Sequence, residues 1–563
     1  MKSLLTLIFL FVTTSAFTQD IVQEYIHRWK TFYPSQALRM GMHDAVFDFE
    51  QGGDVQEWIN YNRLIFQSLD ENGNPDINAE AINLRLLKSQ VLQELYKWTE
   101  ERPHEHSLSY YTNLLSNFSN RPSRASFLTE DDLRNLRCKS YDALINICLS
   151  IKSHLKNIHD ENTERSINTI NNIKVDLNSQ LKKDLSNQPC EGSNAKVELA
   201  MDQLDSILDH IKKIPHQPQS LILGKEYYGK QLAMYTDSNL APAELEKLAM
   251  EEIVETKKLM AEVSQSYLSE TYPYKTLPTN EDDIITLALD DMEKDVVTSA
   301  HEYLKFWEGL TQAATRFVDE KEIATLPDYP TLQIKTAPES AGAAARIGWV
   351  SSAPPFDPNP VTTLYLPSIP DTLSEQEQID FWSSFNKPFN RMIVIHELIP
   401  GHYMQLKVSR ETPHKIRLMF PYGPYIEGWA TFTEKIVLEA GWEKERPLTY
   451  LAHLRKRLEN ANRAYTSVMV HCNGWDQEQV MKFSTETSLL APQFAKSLWG
   501  RLMRSPMQIT SYFYGGALFK ELYAHETARL GNDFDLKHFM DTIMKAGPIP
   551  VDEFYHIFNQ THD

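Results

Sequence analysis

Two histidines six residues apart, His396 and His402, stand in "VIHELIPGHYMQ", Val394 to Gln405, with Glu397 beside the first. In the zinc-peptidase pattern H-E-x-x-H the histidines are four apart, about 40° around a helix, so both face one cation while the glutamate serves as base. A six-residue spacing on an unbroken helix turns the second ring about 120° away. Pro400 changes that geometry: it has no N–H for the His396 carbonyl and its ring crowds the turn, while Gly401 tolerates distorted backbone. A local break or bulge would return His402 to the metal-facing side. The same residues also read as a Pro-kinked core helix with two satisfied histidines.

A second stretch weighs for the metal. "YIEGWATFTEKIVLEAGW" begins 23 residues after His402 and carries Glu427 and Glu434 seven apart, on one face of a helix. Carboxylates on an apolar stripe are costly unless something pairs with them. One Zn2+ held by His396, His402 and Glu427, with a fourth position open to water, answers that need. Manganese and cobalt stay open, since mixed nitrogen and oxygen donors suit several divalent ions. Glu397, not needed as a ligand, is then the general base. Glu434 either supports the ligands from behind or is an ordinary salt-bridge partner. Gln405 is expected to bond a ligand or the broken helix.

These residues need elements to hold them. The chain has 563 residues, 42% hydrophobic and 23% charged, which fits a folded globular protein with a sizeable core. With 56 basic against 76 acidic side chains its formal charge is −20, a field that repels nucleic acid. Residues 1–18 have the layout of a cleaved secretory signal, one lysine, an apolar run from Leu4 to Val12, then small residues. No cysteine follows that run, so a periplasmic or secreted protein without a lipid anchor is expected, and no integral membrane segment after cleavage. Four cysteines, Cys138, Cys148, Cys190 and Cys472, make no zinc ribbon. Buried thiols are favoured over a bridge, with a Cys138–Cys148 pair as the alternative.

Apolar residues recur at three- and four-residue steps in "AEAINLRLLKSQVLQELYKWTEE" and "DDLRNLRCKSYDALINICLSIKSHLKNIH", which predicts amphipathic helices. A further helix in "SNLAPAELEKLAMEEIVETKKLM" is expected to be capped by Ser238 or Asn239, with Pro242 in its first turn. Near residues 330–370 the period changes, and "VTTLYL" is a β-branched, aromatic run bounded by prolines. It reads as an edge strand to which an extended peptide adds, or as a core hairpin strand. The class is therefore mainly α with a small β element, divided into an N-terminal helical region over 19–240 and a metal-binding catalytic region over 241–563.

At this point the chain resembles the widespread bacterial proteins grouped as domain of unknown function 885, which sit among zinc-metallopeptidase-like folds. Their hallmark H-E-x-x-P-G-H-x-x-Q is matched at every fixed position by "HELIPGHYMQ", and E-G-W-A stands at Glu427 to Ala430. The N-terminal "FYPSQALRMGMHD" is similar to their early motif, so the resemblance covers nearly the whole mature chain. A third block, "RAYTSVMVHCNGWDQEQV", gives Arg463 and His471, with Ser467 where an aspartate is usual. A fourth, "PMQITSYFYGG", matches at Gln508, Ser511, Tyr512 and Gly515, with Met507 in place of glycine and Arg501 ahead of it. The resemblance implies a large helical, cleft-bearing, gluzincin-like fold with the metal helix at the cleft floor and a short edge strand facing it.

Under that reading His471, Tyr512 or the neighbouring Tyr514 supplies donors to an oxyanion. Arg463 and Arg501, with Gln508, bind substrate: the arginines hold a substrate carboxylate in a two-bond fork, or simply pair with acids. The expected activity is zinc-dependent hydrolysis of peptide bonds by metal-activated water. An amidase acting on modified or non-peptide amides, and a binding protein with a structural metal, are the alternatives.

Overall fold

The computed structural model describes residues 14–46, 54–71, 79–119, 129–160, 163–184, 190–297, 299–328, 332–346, 348–358, 360–369 and 374–560. Residues 1–13, which carry most of the expected signal segment, lie outside these. No helix of the described residues is long and apolar enough to cross a membrane. The chain divides into two compact units, Met1–Ser220 with Pro354–Asn359, and Leu221–Ala353 with Pro360–Asp563.

The first unit is helical among its described residues. Its helix Glu130–His154 starts at a capping box, Thr129 and Asp132 each bonding the other's backbone N–H, and buries Leu136, Ser140, Leu144, Ile147 and Ile151 along one stripe. A second anchor is the buried Glu94 carboxylate, which accepts from Tyr33 Oη at 2.6 Å, Trp58 Nε1 at 2.8 Å and Trp98 Nε1 at 2.9 Å. With Gln90 Nε2 donating to its other oxygen at 3.1 Å, four donors satisfy the acid, so its burial is tolerated. The cysteine expectation is corrected here. Cys138 is bonded to Cys190, with Cα atoms 6.2 Å apart, while Cys148 is a buried free thiol. The helix bearing Cys138 packs on Ser193–Ile211, and this long-range packing brings Cys190 to it.

The second unit holds a three-stranded sheet and the helices of the site. Strands β1 (Leu332–Thr336), β2 (Trp349–Ser351) and β3 (Thr362–Leu366) lie in the order β1-β3-β2. Strand β3 pairs in parallel with β1 and antiparallel with β2. The run "VTTLYL" is thus the central strand, with both ladder edges taken, and the edge-strand expectation fails. Its Leu364 and Leu366 are buried, which explains an apolar run without strict alternation.

Six helices frame the chemistry: α1 (Pro242–Thr271), α2 (Lys387–Glu397), α3 (His402–Ser409), α4 (Gly423–Glu439), α5 (Pro447–Asn473) and α6 (Ser511–Leu530). Helix α1 packs along α5, α4 along α6, and α2 against both α4 and α5. Neither Ser238 nor Asn239 caps α1. Ala241 holds the N-cap position with Pro242 just inside, where its missing N–H is no loss. The helix Lys225–Thr236 belongs to this unit rather than to the N-terminal region expected as far as residue 240. Its Tyr228 is fully buried, donating from Oη to Ser467 Oγ at 3.0 Å and stacking on His471.

Denatured without reductant, the protein is expected to titrate only the two thiols Cys148 and Cys472, and four after reduction. Cys138→Ser should destabilise the first unit by about 4 kcal/mol in denaturant unfolding, the loop-closure value for a bridge spanning 52 residues. Four thiols before reduction would contradict the pairing.

Candidate metal centre

The stretch "HELIPGH" is two helices with a four-residue turn between them. Helix α2 ends at Glu397 and α3 begins at His402, so Leu398 to Gly401 form the connection. The first helix is fixed at its start by Asn386, whose side chain accepts from Phe389 N at 2.9 Å, with Pro388 in the first turn. Inside it the buried Asn390 accepts from Tyr303 Oη at 2.7 Å and Trp307 Nε1 at 3.1 Å, and donates to the Phe385 and Asn386 carbonyls. A fully satisfied amide of this kind locks the helix in place.

The turn itself bonds across a wider span than a helix. Gly401 N donates to Ile395 O at 3.0 Å and Met404 N to Leu398 O at 3.1 Å, each reaching back six residues. The Ile399–Pro400 peptide is cis. Gly401 lies so close to the preceding turn that a Cβ there would stand 1.9 Å from His396 O and 2.3 Å from Ile395 O. Only glycine fits. The two imidazoles end with ring centroids 4.8 Å apart and planes at 85°.

Helix α4 brings the carboxylates. It is buried on almost every side, which suits its largely apolar sequence. Its Gly428 meets Gly515 of α6 backbone to backbone, a Cβ on Gly428 lying 2.5 Å from Gly515 Cα. This close crossing seats α4, and Trp429 Nε1 donates to Pro400 O at 3.0 Å, tying it to the histidine turn. One turn face then carries Glu427 toward the imidazoles and Glu434 behind them.

His396, His402 and Glu427 each offer a ligand atom, all within 4.8 Å of one another. Glu427 Oε2 lies 3.3 Å from His402 Nε2 and 3.8 Å from His396 Nε2. Ligand bonds of about 2.0–2.2 Å in a tetrahedron put neighbouring donor atoms about 3.3–3.6 Å apart; the Glu427–His402 separation matches this and the Glu427–His396 separation is slightly wider. Glu427 Oε2 is buried yet has no hydrogen-bond partner among the described residues, the contact to His402 lacking hydrogen-bond geometry. Burial raises the Glu427 carboxyl, but His402, then His396, outweigh it and hold the group at about 2. Burial likewise lowers the His402 imidazole, and Glu427 with Glu397 and Glu434 reverses the shift and raises it. Three carboxylates, Glu427, Glu397 and Glu434, act on His402, a field that suits a cation. Side-chain exposure of 3% at His396, 14% at His402 and 18% at Glu427 leaves the cluster reachable from one side.

Behind the ligands, Glu434 is fully buried and accepts from His396 Nδ1 at 2.8 Å and His453 Nδ1 at 2.7 Å. Burial pushes its carboxyl up, but these two imidazoles hold it at about 2. The contact makes Nδ1 of His396 the protonated nitrogen and leaves Nε2, with its free lone pair, facing Glu427. Glu434 therefore fixes the orientation of the His396 ring. Glu397 is half-buried and makes no side-chain hydrogen bond or ion pair among the described residues.

The other predicted site residues separate into two groups. Gln508 Nε2 donates to Glu427 Oε1 at 3.3 Å and to Tyr512 Oη at 3.5 Å, and Arg501 donates to Tyr512 Oη at 3.4 Å. These three stand beside the cluster with Arg463, whose guanidinium lies 4.9 Å from the Tyr512 ring centre. Arg463 is, however, ion-paired with Glu459 and bonded to Asn460 at 3.0 Å. His471 is not brought to the site. Its Nδ1 accepts from Leu223 N at 3.3 Å and its Nε2 donates to Leu502 O at 3.1 Å, so both nitrogens serve the backbone. Gln405 bonds Ser409 Oγ at 2.8 Å rather than a ligand. Tyr514 is half-buried, and burial pushes its phenol up.

Sequence reasoning missed His453, Lys456 and Glu459 on α5. The available signal was a row of polar residues, His453, Lys456, Asn460, Arg463 and Ser467, at helical spacing in a helix that is otherwise apolar on that face.

Fold and cluster together define a mainly helical protein in which two imidazoles and a carboxylate converge on one point. The chain belongs to the family described as bacterial protein of unknown function (DUF885), whose model matches residues 34–554. It is similar in fold to "a putative lipoprotein of unknown function from Shewanella oneidensis", at 19% identity and a TM-score of 0.79, covering 97% of this chain and 100% of that one. It is also similar to "the putative lipoprotein from Colwellia psychrerythraea", at 15% identity and a TM-score of 0.72, covering 98% and 99%. Likeness at these identities concerns the fold alone. No curated protein matches the sequence.

Glu434→Gln keeps the size of the side chain and removes its charge. It is expected to weaken zinc affinity about 10- to 100-fold in competition with a chromogenic chelator. Unchanged affinity in a folded variant would remove Glu434 from the support of His396.

Proposed function

We propose that the chain is an exported, gluzincin-like metallopeptidase that hydrolyses peptide bonds with one zinc ion. The reading rests on the convergence of His396, His402 and Glu427, beside a Glu397 carboxylate whose charge acts on His402. A divalent ion held there would lower the pKa of a bound water to about 7 and polarise a carbonyl.

The protein's own residues have separate tasks. Glu397, half-buried and free of hydrogen bonds among the described residues, takes the proton of the attacking water and returns it to the leaving nitrogen. Tyr512 keeps its proton at neutral pH, because burial and then the Glu427 charge raise its phenol, so it is a donor to the developing oxyanion. Glu434 holds the His396 ring in one tautomer throughout. The signal-like N-terminus and the description of both structural neighbours as lipoproteins support a location outside the cytoplasm.

Purified protein is expected to carry one zinc per chain and to cleave members of a mixed peptide library. Glu397→Gln should keep the metal and lower kcat/KM by about 10²–10⁴-fold. Turnover equal to wild type in that variant, or zinc-loaded wild type that cleaves nothing in the library, would overturn the reading.

A further inference from the structure

Beside Glu427 lies a group of positive charges that the hydrolytic chemistry does not use. Lys456 Nζ, Arg463 Cζ and Arg501 Cζ surround the Tyr512 ring at 5.8, 4.9 and 5.6 Å from its centre. One acid, Glu459, answers two of them: it is ion-paired with Arg463 and lies 3.8 Å from Lys456 Nζ. Arg501 has no carboxylate within ion-pair distance among the described residues. Its contacts are long and to neutral groups, 3.4 Å to Tyr512 Oη and 3.5 Å to Gln508 Oε1. A half-buried guanidinium with five donors, reached by the Glu459 charge only from beyond ion-pair distance, is poorly satisfied, and its planar fork matches a carboxylate.

The position of this free charge narrows what it takes. Gln508 bridges Arg501 to the ligand carboxylate, with its Nε2 at 3.3 Å from Glu427 Oε1 and its Oε1 facing Arg501. An anion on Arg501 is therefore separated from the His396–His402–Glu427 cluster by a single side chain, that of Gln508. The anion that every linear peptide cut near its C-terminal end brings close to the scissile carbonyl is the terminal α-carboxylate. Glu427 itself would be neutralised by a cation, so it does not cancel the positive potential on that side.

We propose that Arg501 binds the free C-terminal carboxylate of short peptides, which makes the enzyme a carboxypeptidase acting near the C-terminal end of its substrate. The proposal rests on the metallopeptidase reading for its catalytic consequence, but the anion subsite stands on its own geometry. Arg463 and Lys456 hold Glu459 and the Tyr512 ring in place and raise the local positive potential. They are positioning residues.

The test separates binding from turnover. Zinc-loaded Glu397→Gln protein is titrated calorimetrically with an N-acetylated tripeptide and with the same peptide as its C-terminal amide. The free acid is expected to bind about 10- to 100-fold more tightly, as for a charge-assisted fork. Adding Arg501→Ala should abolish that difference by weakening only the acid, and Arg501→Lys should restore part of it, since the charge returns without the fork. Equal binding of acid and amide, an equal loss of both in Arg501→Ala, or equally tight binding of an amide with an acidic side chain would overturn the proposal. Wild-type kinetics then distinguish the two readings. Acid-selective binding with no cleavage of either peptide retires the peptidase and keeps the subsite, whereas Glu397-dependent cleavage of both at equal rates retires the subsite and keeps the peptidase.

Discussion

Everything in the site depends on how tightly the backbone folds back between His396 and His402. The turn Leu398 to Gly401 brings Gly401 against the carbonyls of Ile395 and His396, closer than any side chain allows. A proline with no donor and a glycine with no Cβ together permit what a regular helix forbids. Other contacts are subordinate to this one. Trp429 Nε1 takes the Pro400 carbonyl, which a straight helix would have used internally, and so registers α4 on the turn. The glycine crossing of α4 and α6 then sets the depth at which Glu427 meets the two rings. Loss of either close approach would leave two histidines on diverging helices and a buried acid with no partner.

Electrostatics reinforces the geometry. Glu434 is an acid with no exposure, held by hydrogen bonds from two imidazoles. That arrangement is expensive as an isolated pair, because desolvation offsets much of the attraction. It becomes economical when the His396 ring must present one nitrogen outward in a fixed orientation. Gln508 links Glu427 to Arg501, donating to the first and accepting from the second. A cation held at the cluster and the Arg501 guanidinium would stand at the two ends of Gln508, an arrangement that suits a substrate bringing a carbonyl oxygen to one and a carboxylate to the other.

Much of this was legible in the sequence, where local chemistry carried the information. The six-residue spacing with Pro400 and Gly401, and the seven-residue spacing of Glu427 and Glu434, name elements that the fold brings together, and the small sheet falls where the period changed. What stayed hidden depends on long-range packing. Cys190 is the partner of Cys138 because two helices pack, which spacing does not encode. "VTTLYL" is central because β1, whose "LQIKT" has no apolar run, and the three-residue β2 flank it. His471 has a suggestive sequence context, yet the carbonyl of Leu502 and the N–H of Leu223 occupy it. His453 belongs to no local pattern with His396 and joins it only through Glu434. A buried polar row at helical spacing along α5 is the feature that would have found it.

X-ray absorption at the zinc edge on protein loaded with one equivalent of zinc tests the central claim most directly. The account predicts a first shell of two imidazole nitrogens with oxygen donors at about 2.0–2.2 Å, the imidazole contribution falling by one in His402→Ala. A shell with sulfur, one with no imidazole, or a spectrum unchanged by His402→Ala would contradict it.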